Sequence, residues 1–264
     1  MMRCTIAAVL AFVLALSVLM RGGVIAAASP SCDGEIQHTA VKGGELCLAI
    51  TTFNADPNRT YQPTLVVMLH GDLSKGGPAT YHVPHMQGLS QNERIVSVAM
   101  VRPGYTDGKG GKSEGSNHRR RDSYTKPNIT ATGEAIANLK KRHNAKRVVL
   151  IGHSGGAAMA GVIIGMFPDL VDKAILVSCP CNIRRWRKRW KRSLSPSSFV
   201  NKVPATTEVI VVVGKKDRIT SRKLSADYAA SLKKRNINVK LSVVESAGHN
   251  FDRSLAQAAL WEAY

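Results

Sequence analysis

The sequence predicts an α/β protein on a mostly parallel, doubly wound sheet with helices on both faces. Three observations carry this. Apolar β-branched runs recur along the chain, stretches of helical periodicity separate them, and one run leads straight into a glycine-flanked serine that opens a helix. Strands are expected over residues 46–51, 64–69, 95–101, 147–151, 173–178, 208–213 and 239–244. Helices are expected over 131–142, 155–166, 223–234 and 254–263. The run Glu208-Val-Ile-Val-Val-Val213 has no polar alternation, as suits a strand covered on both faces. Sites in such sheets gather at the C-terminal strand ends. With 264 residues and 44% hydrophobic content, the chain can bury a full core and is expected to form one domain over 29–264.

The serine lies in Arg147-Val-Val-Leu-Ile-Gly-His-Ser-Gly-Gly156, which reads as a nucleophile elbow. A hydroxyl attacks well only when the backbone holds it at the tip of a tight strand-to-helix turn, and glycines on either side let neighbouring chain pass close to that turn. Ser154 then stands near the N-terminus of a helix, whose free N–H groups favour developing negative charge. An acid and a base follow in order. Asp217 comes in the loop after the 208–213 strand, and His249 in Ser246-Ala247-Gly248-His249-Asn250-Phe251 after the 239–244 strand. Asp172 precedes a strand at the other end of the sheet and Asp227 falls inside a helical pattern, so neither suits the acid's role. His82 and His85 lack an acid at a strand end.

With Ser154, Asp217 and His249 in this order, the chain resembles the α/β-hydrolase superfamily, in particular its small esterase, dienelactone-hydrolase and prolyl-oligopeptidase-like branches, from about Thr64 to the C-terminus. The resemblance implies the α/β-hydrolase fold and a Ser-His-Asp triad. It also implies an oxyanion hole, because Thr64-Leu-Val-Val-Met-Leu-His70-Gly71-Asp72 matches the strand and loop that supply one backbone donor; by that match the donors are the Asp72 and Gly155 N–H groups. His70 and His153 are expected to line the substrate pocket. The glycine-rich stretch 102–115 is expected to be a mobile pocket rim where Arg102 and Tyr105 orient substrate.

In that superfamily, lids are inserted after the strand that ends here at residue 178, so 182–203 is expected to be a short basic cap. Its core, Arg184, Arg185, Trp186, Arg187, Lys188, Arg189, Trp190, Lys191 and Arg192, holds seven basic residues and two tryptophans in nine positions. On a helix Trp186 and Trp190 would share a face. Such a segment suits an anionic membrane surface, a polyanion or an acidic substrate. Nucleic acid is disfavoured, because nothing else marks a nucleic-acid-binding fold.

Residues 1–28 read as a cleavable secretory signal: Arg3, then an apolar run to Met20, then Ala26-Ala27-Ala28 before Ser29. The alternative is an uncleaved membrane anchor. Cleavage removes only Arg3 and Arg21, taking the formal charge from +19 to +17. Export would leave Cys32, Cys47, Cys179 and Cys181 in an oxidising compartment. A Cys32–Cys47 bond is expected, with Cys179 and Cys181 either closing a very short ring or staying reduced. No metal or other cofactor is expected, and the chain is expected to be a monomer. Three functions remain open: a carboxylic-ester hydrolase, favoured because a peptidase of the related branch usually carries a propeller or large cap; such a peptidase; or a catalytically idle fold serving as a cationic binding module.

Overall fold

The computed structural model describes Cys32 and residues 38–264. Eight strands, β1 (Ala40–Gly43), β2 (Leu46–Phe53), β3 (Thr64–Leu69), β4 (Ile95–Met100), β5 (Arg147–His153), β6 (Lys173–Val177), β7 (Glu208–Gly214) and β8 (Val239–Val244), form one sheet in the order β1-β2-β4-β3-β5-β6-β7-β8. β2 pairs antiparallel with β1 and β4, and every later pairing is parallel. Among the described residues there are six α-helices, α1 (Val83–Leu89), α2 (Lys126–Arg142), α3 (Gly155–Met166), α4 (Ile183–Trp186), α5 (Arg222–Lys233) and α6 (Arg253–Trp261).

Strand periodicity divides the core in two. In β3, Leu65, Val67 and Leu69 point to the layer containing α2, α3 and α5, while Val66 and Met68 point to the layer of α1 and α6. In β7, Val209 and Val211 face the first layer, and Ile210 and Val212 the second. Burying an aliphatic side chain on either face contributes about 1.5–3 kcal/mol, which explains the uninterrupted apolar runs. α3 is buried along nearly its whole length, and its glycines and alanines let it lie close against the sheet.

Several elements differ from expectation. β1 and α1 were not anticipated; each is short, and α1 has only two fully buried residues, Met86 and Leu89. α2 begins at Lys126 rather than 131, with Pro127 in its first turn, where a missing N–H costs nothing. The 102–115 stretch is no loose rim. Its glycines adopt positive φ at Gly104, Gly108, Gly110 and Gly115, and its turns are pinned by the Thr106–Lys112 bridge and by Ser113 Oγ, which accepts from Ala49 N at 2.9 Å and donates to Val101 O at 2.6 Å. Conformational need, not mobility, accounts for these glycines. Within 182–203, α-helix is confined to Ile183–Trp186, followed by 3₁₀ turns at Pro196–Ser198 and Val200–Lys202. Beyond α4, the Asp122 carboxylate accepts the N–H groups of Lys191, Arg192 and Ser193 at 3.0, 3.1 and 2.8 Å, drawing the chain onto the body.

Cys32 and Cys47 are bonded, with Cα atoms 5.7 Å apart, and the question left open at Cys179 and Cys181 resolves as a closed, fully buried ring. The expected signal, residues 1–28, lies outside the described residues. No described helix is long and apolar enough to cross a membrane.

Candidate active site

β5 delivers Ser154 to α3 through a single residue with φ 52° and ψ −116°. A non-glycine residue in this region is strained by roughly 1–3 kcal/mol, and the surroundings hold it there: Ser154 N–H donates to Val177 O at 2.8 Å, while its own carbonyl accepts from Ala158 N at 3.1 Å. The neighbouring glycines answer to close approach. A Cβ at residue 152 would stand 2.5 Å from the Gly156 carbonyl, and one at 156 would run into the carbonyls of Leu69 and His70. The elbow is therefore wedged between β3 and its own helix.

The three residues expected to act together are brought together. His249 Nε2 lies 3.0 Å from Ser154 Oγ, and His249 Nδ1 lies 2.9 Å from Asp217 Oδ2. Asp217 sits just past β7, where its Oδ1 accepts the Ile219 and Thr220 N–H groups, each at 2.9 Å. Burial pushes the Asp217 carboxyl up, but the hydrogen bond and charge of His249, joined by Thr220, outweigh it, and the group titrates below the ordinary carboxylate range. It is therefore ionised at neutral pH. Thr220, which motif reading missed, places its hydroxyl 2.9 Å from both Asp217 Oδ2 and Ser178 O, tying the acid's loop to the end of β6. The rejected acids stand apart: Asp172 accepts Val148 N–H at 2.8 Å, and Asp227 pairs with Arg185 and Lys223 on α5.

His153 links three loops. Its Nε2 meets the His249 carbonyl at 2.9 Å and so carries the proton, while its Nδ1 lies 2.6 Å from the Tyr81 hydroxyl, which in turn accepts Gly71 N–H at 2.6 Å. The elbow, the histidine loop and the loop after β3 are thus joined through one imidazole and one phenol. His153 is buried and spent on this bracing rather than on lining the pocket. His70 likewise differs from expectation. It is fully buried, with Nδ1 at 2.7 Å from Gly71 O and Nε2 accepting Arg102 N–H at 3.0 Å.

Arg102 and Tyr105, expected at the rim, are buried beneath it, at 1% and 2% exposure. The Arg102 guanidinium pairs with Asp72 Oδ1 at 2.5 Å, and Tyr124 donates to Asp72 Oδ2 at 2.6 Å. Burial disfavours the Arg102 charge, and the Asp72 carboxylate more than restores it. The cluster presses on Gly155, where a Cβ would meet Arg102, Asp72 and Tyr124 together. Asp72 thus fixes its loop with its side chain, while its backbone N–H meets no acceptor among the described residues. Gly155, as the first residue of α3, also has no intrahelical acceptor for its N–H.

Buried neutral histidines carry a consequence for stability. Burial pushes His82 and His153 down to about 4 and holds His70 well below its ordinary range. Unfolded, they titrate near 6.5, so the unfolded chain binds protons that the folded chain excludes. Stability is then complete above about pH 6.5 and falls towards pH 4 by on the order of 1 kcal/mol per histidine per unit. The thermal midpoint is expected to drop by about 10 °C between pH 7.5 and 5.0; an unchanged midpoint would contradict the neutral assignments.

A cavity of about 650 Å³ opens over Ser154 and His249. Asp72 forms part of its wall, Trp186, Arg187 and Trp190 of the basic segment form another part, and Arg119, Arg120 and Arg121 a third. The arginine triplet was not anticipated as a site feature. The tryptophans meet edge to face with centroids 5.2 Å apart, although they do not share one helix.

The described architecture is similar to that of solved hydrolases at low identity. Est1E from Butyrivibrio proteoclasticus, with ferulic acid bound, superposes with a TM-score of 0.66 at 17% identity, over 85% of this chain and 97% of that one. An esterase of Pyrococcus furiosus gives 0.62 at 15%, over 89% and 94%. The acylaminoacyl peptidase of Pyrococcus horikoshii gives 0.64 at 14%, over 86% of this chain but only 39% of the peptidase. At these identities the likeness establishes the α/β-hydrolase fold. No curated protein matches by sequence. The family model for the prolyl oligopeptidase family, peptidase S9, matches residues 86–263, a span that includes Ser154, Asp217 and His249. The chain belongs to the prolyl oligopeptidase family, within the α/β-hydrolase fold.

Proposed function

We propose that the protein is a serine hydrolase of carboxylic esters. The observation that carries this is the hydrogen-bonded line from Asp217 Oδ2 through His249 to Ser154 Oγ, at 2.9 and 3.0 Å, opening on a cavity. His249 Nε2 takes the proton as Ser154 Oγ attacks the ester carbonyl, and Asp217 holds Nδ1–H so that Nε2 is the accepting nitrogen. The tetrahedral oxyanion is stabilised by the Asp72 and Gly155 N–H groups. His249 then returns the proton to the departing alkoxide, leaving an acyl-enzyme that water hydrolyses by the same route in reverse.

Ester substrates are favoured over free peptides by charge. Release of residues from a peptide's amino end calls for a carboxylate to receive the α-ammonium group, and the one acid in the cavity wall among the described residues, Asp72, is engaged by Arg102, whereas four arginines line the same space. Kinetics on purified protein with simple aryl esters and with aminoacyl anilides decide the matter: ester turnover well above anilide turnover is expected, and the reverse order would make the protein a peptidase.

We further propose export. Two disulfides suit an oxidising compartment, and residues 1–28 have the pattern of a signal. The secreted chain is expected to begin at Ser29, with non-reducing peptide maps linking Cys32 to Cys47; an intact N-terminus with free thiols would refute this. Contact with an anionic membrane surface or polyanion is assigned to Lys188 and Arg189, both exposed and without an ion pair among the described residues. Salt-sensitive binding to anionic vesicles that disappears on reversing these charges is the expected result, and unchanged binding would remove that role.

A further inference from the structure

The arginines around the Ser154 cavity form a group the esterase mechanism does not use. Arg119, Arg120 and Arg121 come from one wall and Arg187 from the basic segment. None of the four makes an ion pair with a carboxylate among the described residues. The nearby acids are all committed elsewhere: Asp72 to Arg102 and Tyr124, Asp122 to three backbone amides and Arg192, and Asp217 to His249. Four like charges at one opening repel one another without an anion among them.

The backbone that presents the triplet is unusual. His118, Arg119, Arg120 and Asp122 all have positive φ, at 45°, 56°, 63° and 48°, a run of left-handed non-glycine residues that must be held from outside. The anchors are evident. Asn117 Oδ1 accepts Arg120 N–H at 3.2 Å, Asn117 Nδ2 donates to Gly104 O at 2.7 Å, and the Arg120 guanidinium donates to Leu73 O at 2.7 Å, just past Asp72. Arg120 therefore buttresses the loop, while the exposed Arg119 and Arg121 are left to face a ligand. Opposite them, the Arg187 guanidinium lies 4.7 Å from the Trp186 ring, beside Trp190. An aromatic wall rimmed by guanidinium groups matches an apolar segment ending in carboxylate, which the guanidinium fork binds in two-point fashion.

We propose that the natural substrate is an ester bearing a carboxylate, drawn into the cavity by Arg119, Arg121 and Arg187; this rests on the serine-hydrolase reading for its chemistry but not for its binding. Matched pairs test it: the mono-nitrophenyl ester of adipic acid against its methyl-capped twin for the acyl side, and acetoxybenzoate against its methyl ester for the alcohol side. In one pair at least, kcat/KM for the anionic member is expected to exceed that of its neutral twin by about tenfold, and the advantage should shrink at high salt. The combined Arg119→Gln, Arg121→Gln, Arg187→Gln protein is expected to lose most of that ratio. A wild-type ratio at or below one in both pairs, or a ratio that survives the triple substitution, overturns the proposal. Adipate binding to the Ser154→Ala protein, read by tryptophan fluorescence, separates the two levels. If neither member of either pair is hydrolysed, the hydrolase reading fails, and the titration alone decides the anion site: saturable binding lost with the three arginines upholds it, and no saturable binding refutes it.

Discussion

Ser154→Ala is expected to lower kcat for a simple ester by about a millionfold while leaving the thermal midpoint nearly unchanged. The Ser154 hydroxyl makes one hydrogen bond, to His249 Nε2, and its removal leaves the backbone contacts of the elbow in place. Alanine meets the same left-handed backbone as serine, so the strain of the turn is common to both proteins. Steady-state hydrolysis beside a calorimetric scan checks both halves. Retention of more than about one part in a hundred of the activity would show that another group is the nucleophile.

Asp217→Asn is expected to cost about a thousandfold to ten-thousandfold in kcat, again with the fold preserved. The carboxylate accepts the Nδ1–H of His249 at 2.9 Å, and an amide at that place can instead offer its NH₂ to Nδ1, which moves the imidazole proton to Nε2. The face towards Ser154 then carries a donor and cannot take the hydroxyl proton. The same carboxylate anchors its own loop through Ile219 N and Thr220 N, contacts that the remaining carbonyl of asparagine can satisfy, so stability should change far less than rate. Kinetics with a reactive aryl ester give the test, and an enzyme unaffected by the change would place the acid elsewhere.

Much of the scaffold was legible in the chain because each central strand is a short apolar run and each active-site candidate directly follows one. β5 to α3 reads from local pattern, since the glycines that flank Ser154 are demanded by contacts within a few residues. The histidine and acid could be assigned because order along the chain maps onto adjacent strands β7 and β8. What the sequence hid depends on long-range pairing. Arg102 and Tyr105 have the types expected of a binding rim, yet they are buried under Asp72 because Asp72 and Tyr124, 30 and 22 residues away from Arg102 in sequence, complete a hydrogen-bonded cluster there, and His70 is buried between the Gly71 carbonyl and the Arg102 N–H. Thr220 and Tyr81 carry no motif and act only through partners brought by the fold. The triplet at Arg119, Arg120 and Arg121 carries no motif, and the left-handed turn is what directs it to the cavity.

The role proposed for Ser154 is that of an activated nucleophile in this cavity. A fluorophosphonate probe tests it directly, because phosphonylation requires a serine hydroxyl deprotonated by a neighbouring base, and intact mass with peptide mapping locates the adduct. One adduct per chain on Ser154 is predicted, absent from Ser154→Ala and strongly slowed in His249→Ala. No adduct on the folded wild-type protein, or an adduct on another serine, would contradict the account.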